Sequence, residues 1–275
     1  MGEGPCTHQR RSGQGEPLVL IHGIGSSWRV WKPVLPALEA QHDVLALSLP
    51  GYGESPPLEE EATVPALVDA VERELDAAGW DTAHVAGNSL GGWITAELAA
   101  RGRARSGVAI DPAGLWTRKE LRYSRRTLLQ SHASASRLAP YADRLMRNPL
   151  FRTVAFGQVQ SRGWRNDPEE AAYAIRAYAA SPSFQETLAW VVRNHAMPAG
   201  LDRIECPFLV VWGSWDVLLI PRMAARWERL VPGAELRMLP RLGHVPFCDD
   251  PDTVAAAITD FTGRAGARQE ALARS

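Results

Sequence analysis

A serine lies at the centre of a glycine-flanked motif that favours nucleophilic chemistry. Gly87-Asn88-Ser89-Leu90-Gly91 fits the pattern G-x-S-x-G, and it separates a strand-like run from a helix-like one. A strand that turns sharply into a helix strains its central residue and exposes that side chain above the sheet, while small neighbours let the backbone pack tightly. The pattern also occurs as an ordinary glycine-rich turn, so Ser89 needs chemical partners elsewhere in the chain.

Two backbone amides are candidates to stabilise negative charge on an oxygen atom. The amide of Leu90 would lie at the start of the helix after Ser89, where unpaired donors and the helix dipole favour an anion. An apolar run at residues 18–21 ends in His22-Gly23-Ile24-Gly25, whose glycines let the backbone approach a substrate. Acyl transfer uses two converging N–H donors of this kind. We predict an oxyanion hole formed by the amides of Ile24 and Leu90, with His22 as a structural loop residue.

An aspartate and a histidine follow Ser89 in the chain order that such a serine requires. Asp216 comes directly after the apolar run 207–212, and His244 lies in a loop before the last helix-like segment. Both positions follow the carboxyl ends of predicted strands, where ligands bind in open α/β sheets. We predict Ser89 as nucleophile, His244 as base and Asp216 as the acid that orients the base.

Asp111 is an alternative for the acid. It also ends an apolar run, at residues 106–110, near the predicted turn that carries Ser89. Because Pro112 follows it, its side chain could instead cap the turn into the next segment. Element order favours Asp216.

Short apolar runs alternate with helix-like patterns along most of the chain, which predicts an α/β fold with a mostly parallel, doubly wound sheet. The predicted strands are 18–21, 43–49, 83–88, 106–110, 207–212 and 234–239, with room for one more around residues 8–11. Thr63 is a predicted N-cap, and Asp250 is predicted to begin a last helix that stops before Gly263, with residues 264–275 frayed.

Residues 113–203 interrupt this alternation, because they read as several helices without a convincing strand. An insertion of that length must lie over the strand ends, so we expect a helical lid at 113–203 and a core domain at 1–112 and 204–275. Trp164, Trp190 and Phe156 are candidates to line an apolar pocket beneath the lid, as are Phe151 and Phe184. These aromatic residues fit the lid's own core equally well.

Taken together, the motifs HGIG, LPGYGESP, GNSLGG, WGSWD and GHVPF resemble the α/β-hydrolase fold family in family order, over about residues 14–263. The resemblance implies a lid between strands 6 and 7 of the family's usual eight. Two positions depart from the family pattern: Ser48 stands where an aspartate is usual, and Asn88 precedes the nucleophile where many esterases have His or Gln. Family members that open epoxides or displace halides carry an aspartate at the position of Ser89, which argues against both activities.

Composition narrows the classes of partner. The net charge of −1 gives no reason to expect a nucleic acid, and no apolar run approaches a membrane span. The N-terminal residues lack an apolar signal segment, and the three cysteines lack metal-ligand spacing, so we expect a cytoplasmic monomer or homodimer without a metal.

Residues 113–203 carry 14 Lys/Arg and 7 Asp/Glu, whereas the remainder carries 16 and 24. This asymmetry could steer an anionic substrate, although arginines on solvated helix faces are commoner.

The resemblance implies hydrolysis of a carboxylic ester or related acyl bond in a small to medium, largely apolar substrate, without a cofactor. Carbon–carbon bond hydrolysis of meta-cleavage products and cofactor-free perhydrolysis use the same triad and are the alternatives. A non-catalytic binding protein that reuses the fold is a third hypothesis, which an intact triad disfavours.

Overall fold

In the computed structural model, which describes residues 8–273 and the side chains of residues 9–267, a seven-stranded sheet forms the centre of the protein. The strands are β1 (His8–Ser12), β2 (Glu16–Ile21), β3 (His42–Ser48), β4 (Ala83–Asn88), β5 (Ala104–Ile110), β6 (Phe208–Gly213) and β7 (Glu235–Leu239). Their order in the sheet is β1-β3-β2-β4-β5-β6-β7. Only the β1–β3 pair is antiparallel among these strands. The predicted α/β fold with a mostly parallel sheet is confirmed.

Helices cover both faces of the sheet, which is why its central strands are nearly continuous apolar runs. The helices are α1 (Leu35–Glu39), α2 (Val64–Ala77), α3 (Leu90–Ala100), α4 (Arg118–Leu138), α5 (Ala142–Leu145), α6 (Pro149–Phe156), α7 (Pro168–Ala180), α8 (Ser183–Asn194), α9 (Ala224–Leu230) and α10 (Pro251–Ala273). In β2, Leu18 and Leu20 pack with α1 and α10, whereas Val19 and Ile21 pack with α2 and α3 on the opposite face. This alternation follows the two-residue period of a strand.

The helix starts predicted at Thr63 and Asp250 are confirmed, whereas the predicted end of the last helix is not. Asp250 caps α10, because its Oδ1 accepts a hydrogen bond from the amide of Thr253 at 3.2 Å. Thr63 caps α2, since its hydroxyl accepts a hydrogen bond from the amide of Ala66. The expected end of the last helix before Gly263 is wrong, because α10 continues to Ala273. A single glycine costs a helix only about 1 kcal/mol, and good helix formers follow it.

A helical segment, residues 113–203, lies between β5 and β6 and contains α4 to α8. It has a small apolar core of its own, formed by Ala135, Ala142, Met146, Ala171, Ala172 and Ile175. Glu170 of α7 accepts hydrogen bonds from Arg29 (2.6 and 2.8 Å) and Lys32 (2.5 Å), which lie in the loop region after β2. The segment therefore contacts the part of the core that follows His22-Gly23-Ile24-Gly25.

Candidate functional site

Ser89 occupies a sharp turn between β4 and α3. Its backbone has φ 56° and ψ −114°, a conformation that non-glycine residues rarely adopt. The flanking glycines are required sterically: a Cβ at Gly87 would lie 2.1 Å from the carbonyl oxygen of Gly91, and one at Gly91 would lie 2.1 Å from the carbonyl oxygen of Ile21. The sequence thus folds into a strained turn that only small neighbours permit.

His244 and Asp216 form a buried hydrogen-bonded pair. The Nδ1–H of His244 donates to Oδ2 of Asp216 at 2.7 Å. The other carboxylate oxygen of Asp216 accepts from the amides of Leu218 and Leu219, both at 2.8 Å. These bonds hold the carboxylate in one orientation, and the carboxylate in turn fixes the imidazole tautomer with Nε2 unprotonated.

Asn88 connects the loop of His244 to the turn of Ser89. Its side-chain amide donates to the carbonyl oxygen of His244 at 2.9 Å and to that of Ile110 at 3.1 Å. This contact could not be predicted, because nothing in the pattern GNSLGG says what the Asn88 side chain touches. Asn88 brings two parts of the chain together that lie 156 residues apart.

Replacing Asn88 with alanine is expected to lower kcat about 10- to 100-fold with a smaller effect on KM, because the His244 loop loses its tether while only one of the many residues that line the cavity is shortened. Ser106→Ala is the control. Ser106 is equally buried and shares a hydrogen bond with His84 near the other end of β5, so its loss should lower stability but not kcat. Steady-state kinetics and urea unfolding of both variants test this, and equal losses of kcat would contradict it.

Asp111 lies beside the Asp216–His244 pair, so the structure brings both candidate acids together. Ligand atoms of Asp111, Asp216 and His244 all lie within 4.8 Å of one another. Asp111 is fully buried, its φ is 45°, and its Oδ1 accepts from the amide of Gly213 at 2.8 Å. Burial raises the pKa of Asp111 well above its usual range, and the neighbouring Asp216 carboxylate raises it further. The ionised form of Asp111 is therefore disfavoured at this site.

The same three side chains are close enough for a metal ion, but most of their donor atoms already form hydrogen bonds. His244 Nδ1 is bonded to Asp216, both oxygens of Asp216 accept hydrogen bonds, and Oδ1 of Asp111 accepts another, which leaves Oδ2 of Asp111 without a partner among the described residues. A cation would have to displace several of these bonds, and burial disfavours the ionised Asp111 carboxyl that it would need. The arrangement fits a hydrogen-bonded acid–base chain better than a metal centre.

The predicted oxyanion amides lie on either side of Ser89. Within residues 8–273, the amides of Ile24 and Leu90 donate no intramolecular hydrogen bond, which leaves both available to a ligand. A Cβ at Gly23 would lie 3.1 Å from the Cβ of Ser89, so the loop that carries Ile24 passes directly over the serine.

His22 holds this loop in place. Its Nδ1–H donates to the carbonyl oxygen of Gly23 at 2.7 Å, and its Nε2 accepts from the amide of Leu49 at 2.9 Å. Burial lowers the pKa of His22 to about 4. The side chain is a neutral bridge between two loops, in agreement with its predicted structural role.

Acidification should therefore destabilise the fold through His22. Above pH 6.5, the pKa of the His22 ring in the unfolded state, the ring is neutral in both states. Between pH 6.5 and about pH 4, the unfolded state binds a proton at this ring and the folded state does not. We expect a loss of about 2 kcal/mol from this residue between about pH 7.5 and pH 5. Glutamine keeps a donor and an acceptor but does not titrate. Urea unfolding of His22→Gln should show a correspondingly weaker pH dependence, and an unchanged slope would contradict the assignment.

A cavity of about 930 Å³ opens over Ser89 and His244, both of which line it. Its apolar wall comes from the loop after β2 and from α4, α6 and α7, with Ile24, Leu128, Phe156, Ile175, Tyr178 and Val245 among its lining residues. Of the three predicted pocket aromatics, Phe156 lines the cavity, whereas Trp164 and Trp190 do not. Trp164 is 48% exposed, and Trp190 is partly buried against the main core cluster. Bulk and apolarity alone do not specify which helix face a tryptophan occupies.

A family profile described as the alpha/beta hydrolase family matches residues 18–257, which include this site. The chain belongs to the alpha/beta hydrolase family. Its relatives in this family are named as enzymes, which supports a hydrolase acting on a small-molecule substrate. Within residues 8–273, none of the helices combines the length and apolar character that a membrane-spanning helix needs.

Similar members of the alpha/beta hydrolase family differ in activity. The chain is 34% identical over 204 residues to epoxide hydrolase EphH of Mycobacterium tuberculosis, an alignment covering 71% of this chain and 92% of that protein. It is 28% identical over 257 residues to a pimeloyl-[acyl-carrier protein] methyl ester esterase of Neisseria meningitidis, covering 88% and 75%. A thermophilic esterase structure from Thermogutta terrifontis has a TM-score of 0.74 at 21% identity, covering 94% of this chain and 93% of that one, and shows the shared fold.

Proposed function

We propose that this protein is a serine hydrolase that cleaves a carboxylic ester, or a related acyl bond, of a small to medium and largely apolar substrate. The observation that carries the proposal is the position of His244. Its ring is bonded through Nδ1 to Asp216 and lines the same cavity as Ser89. A base with an orienting acid on one side and a strained serine in the same cavity is the arrangement that acyl transfer uses.

In the proposed mechanism, Nε2 of His244 takes the proton of the Ser89 hydroxyl as its oxygen attacks the carbonyl carbon. Asp216 stabilises the imidazolium that forms, without taking its proton. The amides of Ile24 and Leu90 donate to the oxyanion, each contributing about 3 kcal/mol to the transition state. His244 then protonates the leaving alcohol, and water hydrolyses the acyl-enzyme with His244 again as base. These residues supply every proton transfer that the reaction needs.

We propose that residues 113–203 act as a lid over the core. Three of its helices supply walls of the cavity, and the ion pairs of Glu170 with Arg29 and Lys32 join the segment to the loop of Ile24. These pairs are partly exposed, so each contributes at most about 1 kcal/mol. Contacts of that strength favour the closed arrangement while allowing the segment to move.

The chemistry of a serine nucleophile distinguishes the proposed ester hydrolysis from epoxide hydrolysis, the activity named for the mycobacterial relative. A carboxylate nucleophile that opens an epoxide forms an ester, which water can hydrolyse. A serine alkoxide would form an alkyl ether instead, which has no carbonyl for water to attack. Ser89 therefore supports turnover of acyl substrates rather than epoxides.

A substrate panel tests the proposal. We expect hydrolysis of p-nitrophenyl esters, with kcat/KM rising from acetate towards medium acyl chains, because the cavity is large and apolar. A dienone of the meta-cleavage type and styrene oxide are measured beside them. Turnover of the dienone without the esters would favour carbon–carbon hydrolysis on the same triad. Turnover of styrene oxide that survives Ser89→Ala would contradict the role given to the serine.

A further inference from the structure

The first half of α4 carries an unusual concentration of positive charge on the outer surface of the helical segment. Five exposed cations lie within nine residues: Arg118, Lys119, Arg122, Arg125 and Arg126. None of them forms an ion pair with a carboxylate among the side chains described. Glu120, the one acidic residue of α4, is buried and already pairs with Arg222 and Arg226 of the core.

Several arginines on the core are paired instead. Arg10, Arg11, Arg101, Arg103 and Arg264 each form an ion pair with a neighbouring carboxylate. Others, such as Arg73 and Arg229, have no carboxylate partner among the described side chains, so α4 is distinguished by the concentration of such cations within nine residues.

The arrangement on α4 opposes helix stability. Arg118 and Arg122, and Arg122 and Arg126, are like charges four residues apart, which repel each other on a helix surface. Arg118 and Lys119 also occupy the first turn, where the positive end of the helix dipole disfavours cations. A bound anion would relieve both effects.

A groove of about 290 Å³ runs beside these residues, between α4 and the end of α8. Arg118, Arg122 and Arg125 line one side, which is the spacing of one helix face, and His195 contributes from the other. Leu121 and Val192 form apolar parts of the lining. The lining is almost entirely apolar, so the arginines line the groove with their aliphatic stems, and the guanidinium groups of these exposed residues lie at its margin.

We propose that this groove binds a phosphate ester. Guanidinium groups form paired, charge-assisted hydrogen bonds with phosphate oxygens, and a phosphate presents enough oxygens to engage more than one arginine. Leu121 and Val192 would contact the carbon portion of the ester. The site is separate from the cavity over Ser89, although the same α4 lines that cavity from Thr127 onward. The proposal does not depend on the hydrolytic activity proposed above.

Binding of two probes tests the groove and distinguishes a soluble ester from a lipid headgroup. Phenyl phosphate is titrated by calorimetry, and vesicles of phosphatidylglycerol are compared with phosphatidylcholine in a sedimentation assay. The groove variant is Arg118→Gln/Arg122→Gln/Arg125→Gln. The control variant, Arg137→Gln/Arg144→Gln/Arg147→Gln, removes the same charge from exposed arginines of the helical segment outside the groove.

We expect the wild-type protein to bind phenyl phosphate with Kd below about 1 mM, the groove variant to lose at least about tenfold in affinity, and the control to bind as wild type. Binding confined to phosphatidylglycerol vesicles, with the same dependence on the variants, would support the groove with a headgroup as its ligand. Equal losses in both variants, or no binding of either probe, would overturn the proposal. Since it removes like-charge repulsion, the groove variant should have an unligated Tm no lower than that of wild type.

Discussion

Replacing Ser89 with alanine should abolish ester hydrolysis, lowering kcat by about 10⁶-fold, because the covalent step loses its nucleophile. Substrate binding should survive, since the cavity wall is otherwise intact, and the Kd for a product acid should change less than about threefold. Single-turnover kinetics and equilibrium binding measure the two effects separately. A variant that retains more than about one hundredth of the wild-type rate would show that another group attacks the substrate.

Ser89→Gly serves as the matched control for folding. Glycine tolerates the positive φ of this turn, whereas serine and alanine are strained there by about 1 kcal/mol or more. Both variants should be inactive, but Ser89→Gly should unfold at a higher urea concentration than Ser89→Ala. Inactivity in a more stable protein would trace the loss to the missing hydroxyl rather than to a damaged fold.

The second large expected effect distinguishes the role of Asp216 from that of Asp111. Asp216→Asn should lower kcat by about 10⁴-fold, because an amide presents a donor where His244 needs an acceptor, and the imidazole loses its productive tautomer. Asp111→Asn should retain activity within about tenfold. Burial and the Asp216 carboxylate already disfavour the ionised form of Asp111, so a neutral amide of nearly the same shape changes the charge of the site little.

Kinetics of the two single variants and the double variant show which aspartate acts as the acid that orients His244. Comparable losses in Asp111→Asn and Asp216→Asn would mean that the two carboxyls share the acid role. If Asp111 ionises when the Asp216 charge is removed, it can act as a substitute acid within the same cluster, and the double variant should then lose more activity than the product of the two single losses. If the losses of activity in the two single variants are additive in free energy, Asp111 does not replace Asp216 as the acid.

Local signals were sufficient to predict most of the sheet and the turn at Ser89. β4 was predicted at its observed bounds, and the other predicted strands differ from the observed ones by one or two residues at an end. This worked because central parallel strands are covered on both faces and read as unbroken apolar runs. The order of Ser89, Asp216 and His244 along the chain similarly specified which strand ends they follow.

Features that depend on contacts between distant residues could not be predicted. The bond from Asn88 to the carbonyl of His244 and the proximity of Asp111 to Asp216 arise only when β4, β5 and β6 lie side by side. The continuation of α10 past Gly263 depends on packing, as does the exposure of Trp164. Helix propensity and residue size are too weak to determine either outcome.

Mass spectrometry after treatment with a fluorophosphonate tests the central claim most directly, because the reagent reacts with a serine only when a neighbouring base activates it. We expect a single adduct on the peptide that contains Ser89, formed rapidly in the wild-type protein and at least about 10³-fold more slowly in His244→Ala. An adduct on a different residue, or labelling of Ser89 at the same rate without His244, would contradict it.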